Sequence, residues 1–145
     1  MTAAGTTVPA EPWTLRRTAE GELARITVVV SPSSTTADRD ELLTSGVVEV
    51  MAHLVAASAD ASSVVVDLQL PAARSSAPTM EAFSEAVRGL IQSLVLESDP
   101  PVRPVNLVVT TPEQEREREQ TLAFLASDDG RFSCGARFDL REAVR

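Results

Sequence analysis

Tyrosine and lysine are both missing from this 145-residue chain, whose thirteen basic residues are all arginine beside one histidine, His53. The chain therefore has no phenol hydroxyl and no ε-amino group to offer as acid, base or cofactor contact. A single cysteine, Cys134, excludes an internal disulfide framework and any multi-cysteine metal site. No apolar run approaches the roughly 18 residues of a membrane span, so no membrane partner is expected. The first twenty residues lack a cationic start followed by an apolar stretch, which argues against a secretion signal and for a cytoplasmic protein. Acidic residues outnumber basic ones, and the formal charge of −8 speaks against nucleic acid, whose phosphates need clustered cations.

What remains fits one domain. Residues 1–20, rich in Ala, Thr, Glu and Pro, read as a mostly flexible N-terminal arm that Trp13 and Leu15 could pin to the body. From residue 21 to 145 the pattern is regular. Residues 24–31 are a β-branched run stopped by Pro32, which predicts a buried strand. Helix caps at 33–36 and acidic Asp38, Asp40 and Glu41 open a helix running to about residue 58. Residues 63–70 predict a second strand, 79–97 a second helix closed by Pro100-Pro101, and 105–110 a third strand. Thr111-Pro112-Glu113-Gln114 is a helix start, and that helix reaches about residue 127. Asp128-Asp129-Gly130 is a turn, and residues 136–140 predict a final strand. The order and the continuous apolar strands imply an α/β fold, a partial Rossmann-like α/β/α arrangement with a mainly parallel sheet of about four strands. Right-handed crossovers are expected to place helices on both faces.

Two helices carry more apolar surface than one sheet contact requires. On the first, Leu43, Val47, Val50, Met51 and Leu54 form a stripe that Leu42, Val48 and Val55 widen beyond the roughly 100° a single face needs. The second directs Met80, Phe83, Val87, Leu90, Ile91 and Leu94 at the sheet. It carries a separate stripe of small residues, Ala82, Ala86, Gly89 and Ser93, of the kind that lets helices approach closely. These two stripes are the candidate interface.

Residues 86–97 and 102–108, followed by 121–129 and 132–135, resemble the later half of short-chain dehydrogenases/reductases. In that family a helix of the type "AAVxGLTRSLALE" leads into a strand "IRVNAVAPG", and "AVAFLASDDASFVTGQ" follows. The match covers about the last 65 residues, while residues 24–78 agree in element order only, the strand ending Val30-Ser31 standing where the family has its "NNAG" strand. The resemblance implies a nicotinamide-dependent oxidoreductase scaffold whose members use a Tyr and a Lys four residues later. At those positions this chain has Met80 and Ser84. The six glycines, Gly5, Gly21, Gly46, Gly89, Gly130 and Gly135, do not make the clustered turn that a dinucleotide pyrophosphate needs. The expectation is a truncated, non-catalytic relative with no cofactor and no metal. It would associate through its two helices with a second copy or with an intact reductase of that family, as the family's own subunits pair. Such a partner would also cover a sheet edge left bare by missing strands.

An alternative is an enzyme of another class, such as a cyclase or dehydratase, using Asp67, His53 or the loop around Arg74. Asp67 interrupts an apolar strand, where a carboxylate must find partners. His53 lies near the polar edge of the first helix and reads as a surface or interface residue. Cys134 reads as a small packed hydrophobe. The run from Glu113 to Glu119 reads as a solvated helix face with mixed-sign pairs.

Overall fold

The computed structural model describes residues 12–32, 35–72, 77–97 and 104–141. Strand β1 (Trp13–Glu20) turns back through Gly21 and Glu22 into β2 (Leu23–Val30). Gly21 takes φ 61 in this two-residue turn, a conformation glycine supplies without steric penalty and one that matches strand twist. Helix α1 (Thr36–Glu41) is capped by the Thr35 hydroxyl, which accepts from the Asp38 amide at 3.2 Å. It passes through a π-helical turn (Leu42–Gly46) into α2 (Val47–Asp60). Then come β3 (Ser63–Gln69), α3 (Ala77–Glu97), β4 (Val105–Thr110), α4 (Glu115–Ala126) and, after a 3-10 turn (Gly130–Phe132), β5 (Arg137–Asp139).

The five strands lie side by side in chain order; β1 is antiparallel to β2 and the rest are parallel. The sheet thus has one strand more than the sequence suggests, and the expected arm is the cause. Trp13–Glu20 is paired along its whole length, so only residues 1–11 of that arm lie outside the described structure. The hairpin also covers the β2 edge, which therefore needs no partner to fill it. Period-two alternation sorts the side chains to two faces. Ile26, Val28, Val64, Val66, Leu68, Leu107 and Val109 pack under α2 and α3, while Val65 and Val108 pack with Leu122 and Leu125 of α4. Helices therefore do cover both faces, but not through uniform crossovers. Steps from β2 to β3, β3 to β4 and β4 to β5 all run the same way across the sheet. Because α4 packs on the face opposite α2 and α3, the last crossover has the other hand, a rare arrangement for parallel strands.

Trp13 locks the added strand in place. Its ring is buried against the π-helical turn, where a Cβ on Gly46 would stand 3.6 Å from the indole, and its Nε1 donates to Glu49 at 3.1 Å. Removing a buried indole costs about 3 kcal/mol or more. Trp13→Ala is therefore expected to lower the unfolding free energy by about 3 kcal/mol in urea titrations. It should also expose the β1 amides that face β2, those of Thr14, Arg16 and Thr18, to hydrogen exchange before those of β3 and β4.

Candidate functional site

The candidate residues fall on opposite sides of the sheet. Asp67, on β3, points to the α4 face and is fully buried. Its Oδ2 accepts from Arg25 Nη2 at 2.8 Å and Nε at 3.2 Å, from Gln69 at 3.2 Å and from Thr27 at 3.4 Å. Its Oδ1 has no hydrogen bond among the described residues and lies 3.7 Å from Arg118 Nε. Arg118 is held in turn by Thr110 Oγ1 at 3.1 Å and by the carbonyls of Thr111 and Pro112. Arg25 reaches on to Glu119 at 3.0 Å. Burial pulls the Arg25 pKa down, but its bonds to Asp67 and Glu119 outweigh that and hold it above the ordinary value. The cluster ties α4 to β2, β3 and β4, and its carboxylate presents no face to solvent.

His53, half-buried on α2, sits across the sheet from Asp67, so the two residues of the enzymatic alternative do not meet. Arg74 lies outside the described residues. Met80 and Ser84 are both buried on α3, and the Ser84 hydroxyl has no hydrogen-bond partner among the described residues. No described group of three or more His, Cys, Asp or Glu side chains is arranged to hold a metal. A hollow of about 520 Å³ opens between the β1–β2 turn and the end of α2, lined by residues such as Arg17, Glu22, Ala57 and Asp60. It lies at the N-terminal ends of β2 and β3, opposite the strand ends where open α/β sheets usually bind ligands. Cys134 is exposed rather than packed, since it lies in the short link between the 3-10 turn and β5. The acidic–basic run on α4 is not wholly solvated either: Arg118 turns inward and is 5% exposed.

The helical stripes separate into core and surface. Val50 and Leu54 are buried under α2 in the chain's own core, as is Leu42, and Val47 packs partly against it. Leu42, Val50 and Leu54 are thus spent on the fold, whereas Val47 keeps part of its surface open. Leu43 and Met51 remain exposed, together with Val48 at 59% and Val55 at 58%. At 3.6 residues per turn, the side of α2 opposite Val50 and Leu54 consists of Val48, Ala52, Val55, Ala56 and Ala59, with Met51 at its margin. That side carries no charge. Glu49, engaged with Trp13, marks the flank toward β1. On α3, Glu81 and Glu85 pair with Arg141 and Arg137 on the β5 side, so Ala82, Ala86, Gly89 and Ser93 occupy the flank toward α2. Ala82, Gly89 and Ser93 are exposed and Ala86 is half-buried. A Cβ on Gly89 would meet nothing within 4 Å, so no contact inside the chain requires glycine there. The two helices thus share one charge-free strip. The whole helical stretch Thr36–Asp60 is long and apolar enough to cross a membrane by length and composition, yet its buried side chains are fixed in the sheet core.

No protein-family model matches the chain, and searches of curated proteins and of solved structures found no match.

Two outcomes follow from the ion pairs. Asp67→Ala leaves Arg118 and most of Arg25 buried without their shared anion, and urea titration is expected to show a loss of about 3 kcal/mol. The short β5 answers to pH instead. Hydrogen bonding and attraction to Arg137 hold the Glu85 carboxyl below its ordinary range. Burial raises Asp139, but bonds to Arg141 outweigh it and leave that carboxyl lowered too. Carboxyls lowered in the folded state stabilise it above their unfolded pKa values, and the support is lost as pH falls through the folded ones. Stability should therefore fall from about pH 5 to pH 3. That fall should be shallower in Arg137→Gln and Arg141→Gln when unfolding is followed across the range.

Proposed function

We propose that the chain is a non-catalytic relative of short-chain dehydrogenases/reductases that works by association through α2 and α3. The observation that carries the reading is the outer side of α2. Val48, Met51 and Val55 are exposed with alanines between them, and the neighbouring α3 exposes Ala82, Gly89 and Ser93. A helix that lies on one sheet needs one apolar side, and contiguous exposed apolar surface marks an interaction site. Gly89 supports the same reading: a mid-helix glycine costs roughly 0.5–1 kcal/mol relative to alanine. The space above it is open to a second helix. The occupant is a second copy of the chain or an intact reductase subunit presenting the matching helix pair.

Burial of Met80 and Ser84, where the resembled family carries its Tyr and Lys, supports a role without hydride transfer. Asp67, sealed beneath α4 and shared between two arginines, gives the enzymatic alternative little to act with.

Light scattering on the purified chain, alone and with an intact reductase from the same host, tests the proposal. The expected result is a dimer or a mixed complex that reverts to monomer in Val48→Glu/Met51→Glu, with the helical circular dichroism unchanged. A wild-type chain that stays monomeric at high micromolar concentration in both settings would refute it.

A further inference from the structure

A second surface lies along the outer edge of the sheet, beside the end of α2. Strand β1 stands at the end of the sheet, and no described residue pairs with its outer edge. Ser31 donates to the Pro12 carbonyl at 2.8 Å, which sets the phase of the β1–β2 ladder. By alternation the N–H and C=O groups of Trp13, Leu15, Arg17 and Ala19 point outward, away from β2. Arg16 and Arg17 on this strand are exposed, and neither forms an ion pair with a described residue. By contrast Arg25, Arg88, Arg118, Arg137 and Arg141 do, in a chain of net charge −8, although Arg116 on α4 is likewise exposed and without an ion pair to a described residue. The hollow described above adjoins this edge; Arg17 lines it together with Glu22 and Asp60, and Leu23 and four alanines form its apolar part, so its own charge favours uncharged side chains there.

We propose that the β1 edge receives an extended, acidic segment of a partner protein as a sixth strand. Four outward backbone pairs supply the ladder, and alternate side chains of the added strand fall on the two faces of the sheet. On the open face its carboxylates meet Arg16; on the other, small apolar side chains enter the alanine-lined hollow beside Arg17. A second copy of β1 is the wrong occupant. In the two antiparallel registers that overlap two copies of Trp13–Glu20 most fully, Arg16 or Arg17 falls opposite itself, and like charges directly opposed are destabilising. The same arginines that discourage self-pairing of an open edge admit a strand of opposite charge.

A capped eight-residue peptide of alternating glutamate and valine, fluorescently labelled, is the probe, with glutamine-for-glutamate and lysine-for-glutamate versions as controls. Anisotropy should show saturable binding of the acidic peptide. Arg16→Glu/Arg17→Glu should weaken it by about tenfold or more, and the lysine peptide should not bind wild type. Bound peptide should slow amide exchange at Leu15, Arg17 and Ala19. Three results would each overturn the proposal: no saturable change at millimolar peptide, equal binding of the three peptides, or binding without protection of those amides. The first would leave the arginines as guards of an unused edge. None of these outcomes bears on association through α2 and α3, which Val48→Glu/Met51→Glu reports separately.

Discussion

A helix lying on a sheet can hide one apolar side, and α2 has two. Val50, Leu54 and Ala57 are consumed by the sheet, and the opposite side, formed by Val48, Ala52, Val55, Ala56 and Ala59, has no polar residue to make it comfortable in water. The proposal of an associating subunit rests on that surplus. The arrangement of charge around it is consistent: Glu49 is drawn toward Trp13 on one flank, and Glu81 and Glu85 toward the β5 arginines on the other. The charged groups thus stand at the margins and leave the middle apolar, a composition that suits the centre of a protein interface.

The opposite face of the sheet solves a different problem. One helix, α4, has to cover strands that two helices cover on the other side. Two apolar anchors, Leu122 and Leu125, serve the middle of that face. Position along the helix is then specified by a polar device, the Asp67 carboxylate between Arg25 and Arg118. A buried ion pair is a poor source of net stability and a good source of discrimination, because any displaced packing strands a charge. Arg118 also closes the loop before α4 by binding the Thr111 and Pro112 carbonyls, so one side chain sets both the entry and the seating of the helix.

Legibility in the sequence varies with the physics of each element. Strands β3 and β4 announce themselves because both faces are covered, and an unbroken, β-branched apolar run is what a strand buried on both sides requires. Strand β1 does not, since only Trp13 and Leu15 of its side chains join the core, and threonines and arginines fill most of the rest. The signal that could have found it is the alternation of Trp13 and Leu15 before Gly21, a hairpin cue obscured by the composition of the first twelve residues. On α2 the sequence shows a surplus of apolar residues but not which side the sheet takes, because an almost uniformly apolar helix has no preferred face. The π-helical turn at Leu42–Gly46 adds to the difficulty by shifting the phase between α1 and α2. Arg118 hides within alternating charges, where nothing local tells a solvated guanidinium from one aimed at a buried aspartate. The need of Asp67 for a partner is foreseeable from its place in an apolar strand; the partners themselves, 42 and 51 positions away in the chain, are not.

The reversed hand of the last crossover bears on ancestry. A strand–helix unit copied in tandem carries its handedness with it, because the twist of the strand and the coil of the helix travel together. β2 with α2 and β3 with α3 conform to such a series, whereas β4 with α4 is its mirror arrangement. The step from β4 to β5 is therefore not related to the two steps before it by the translation along the sheet that relates those two to each other.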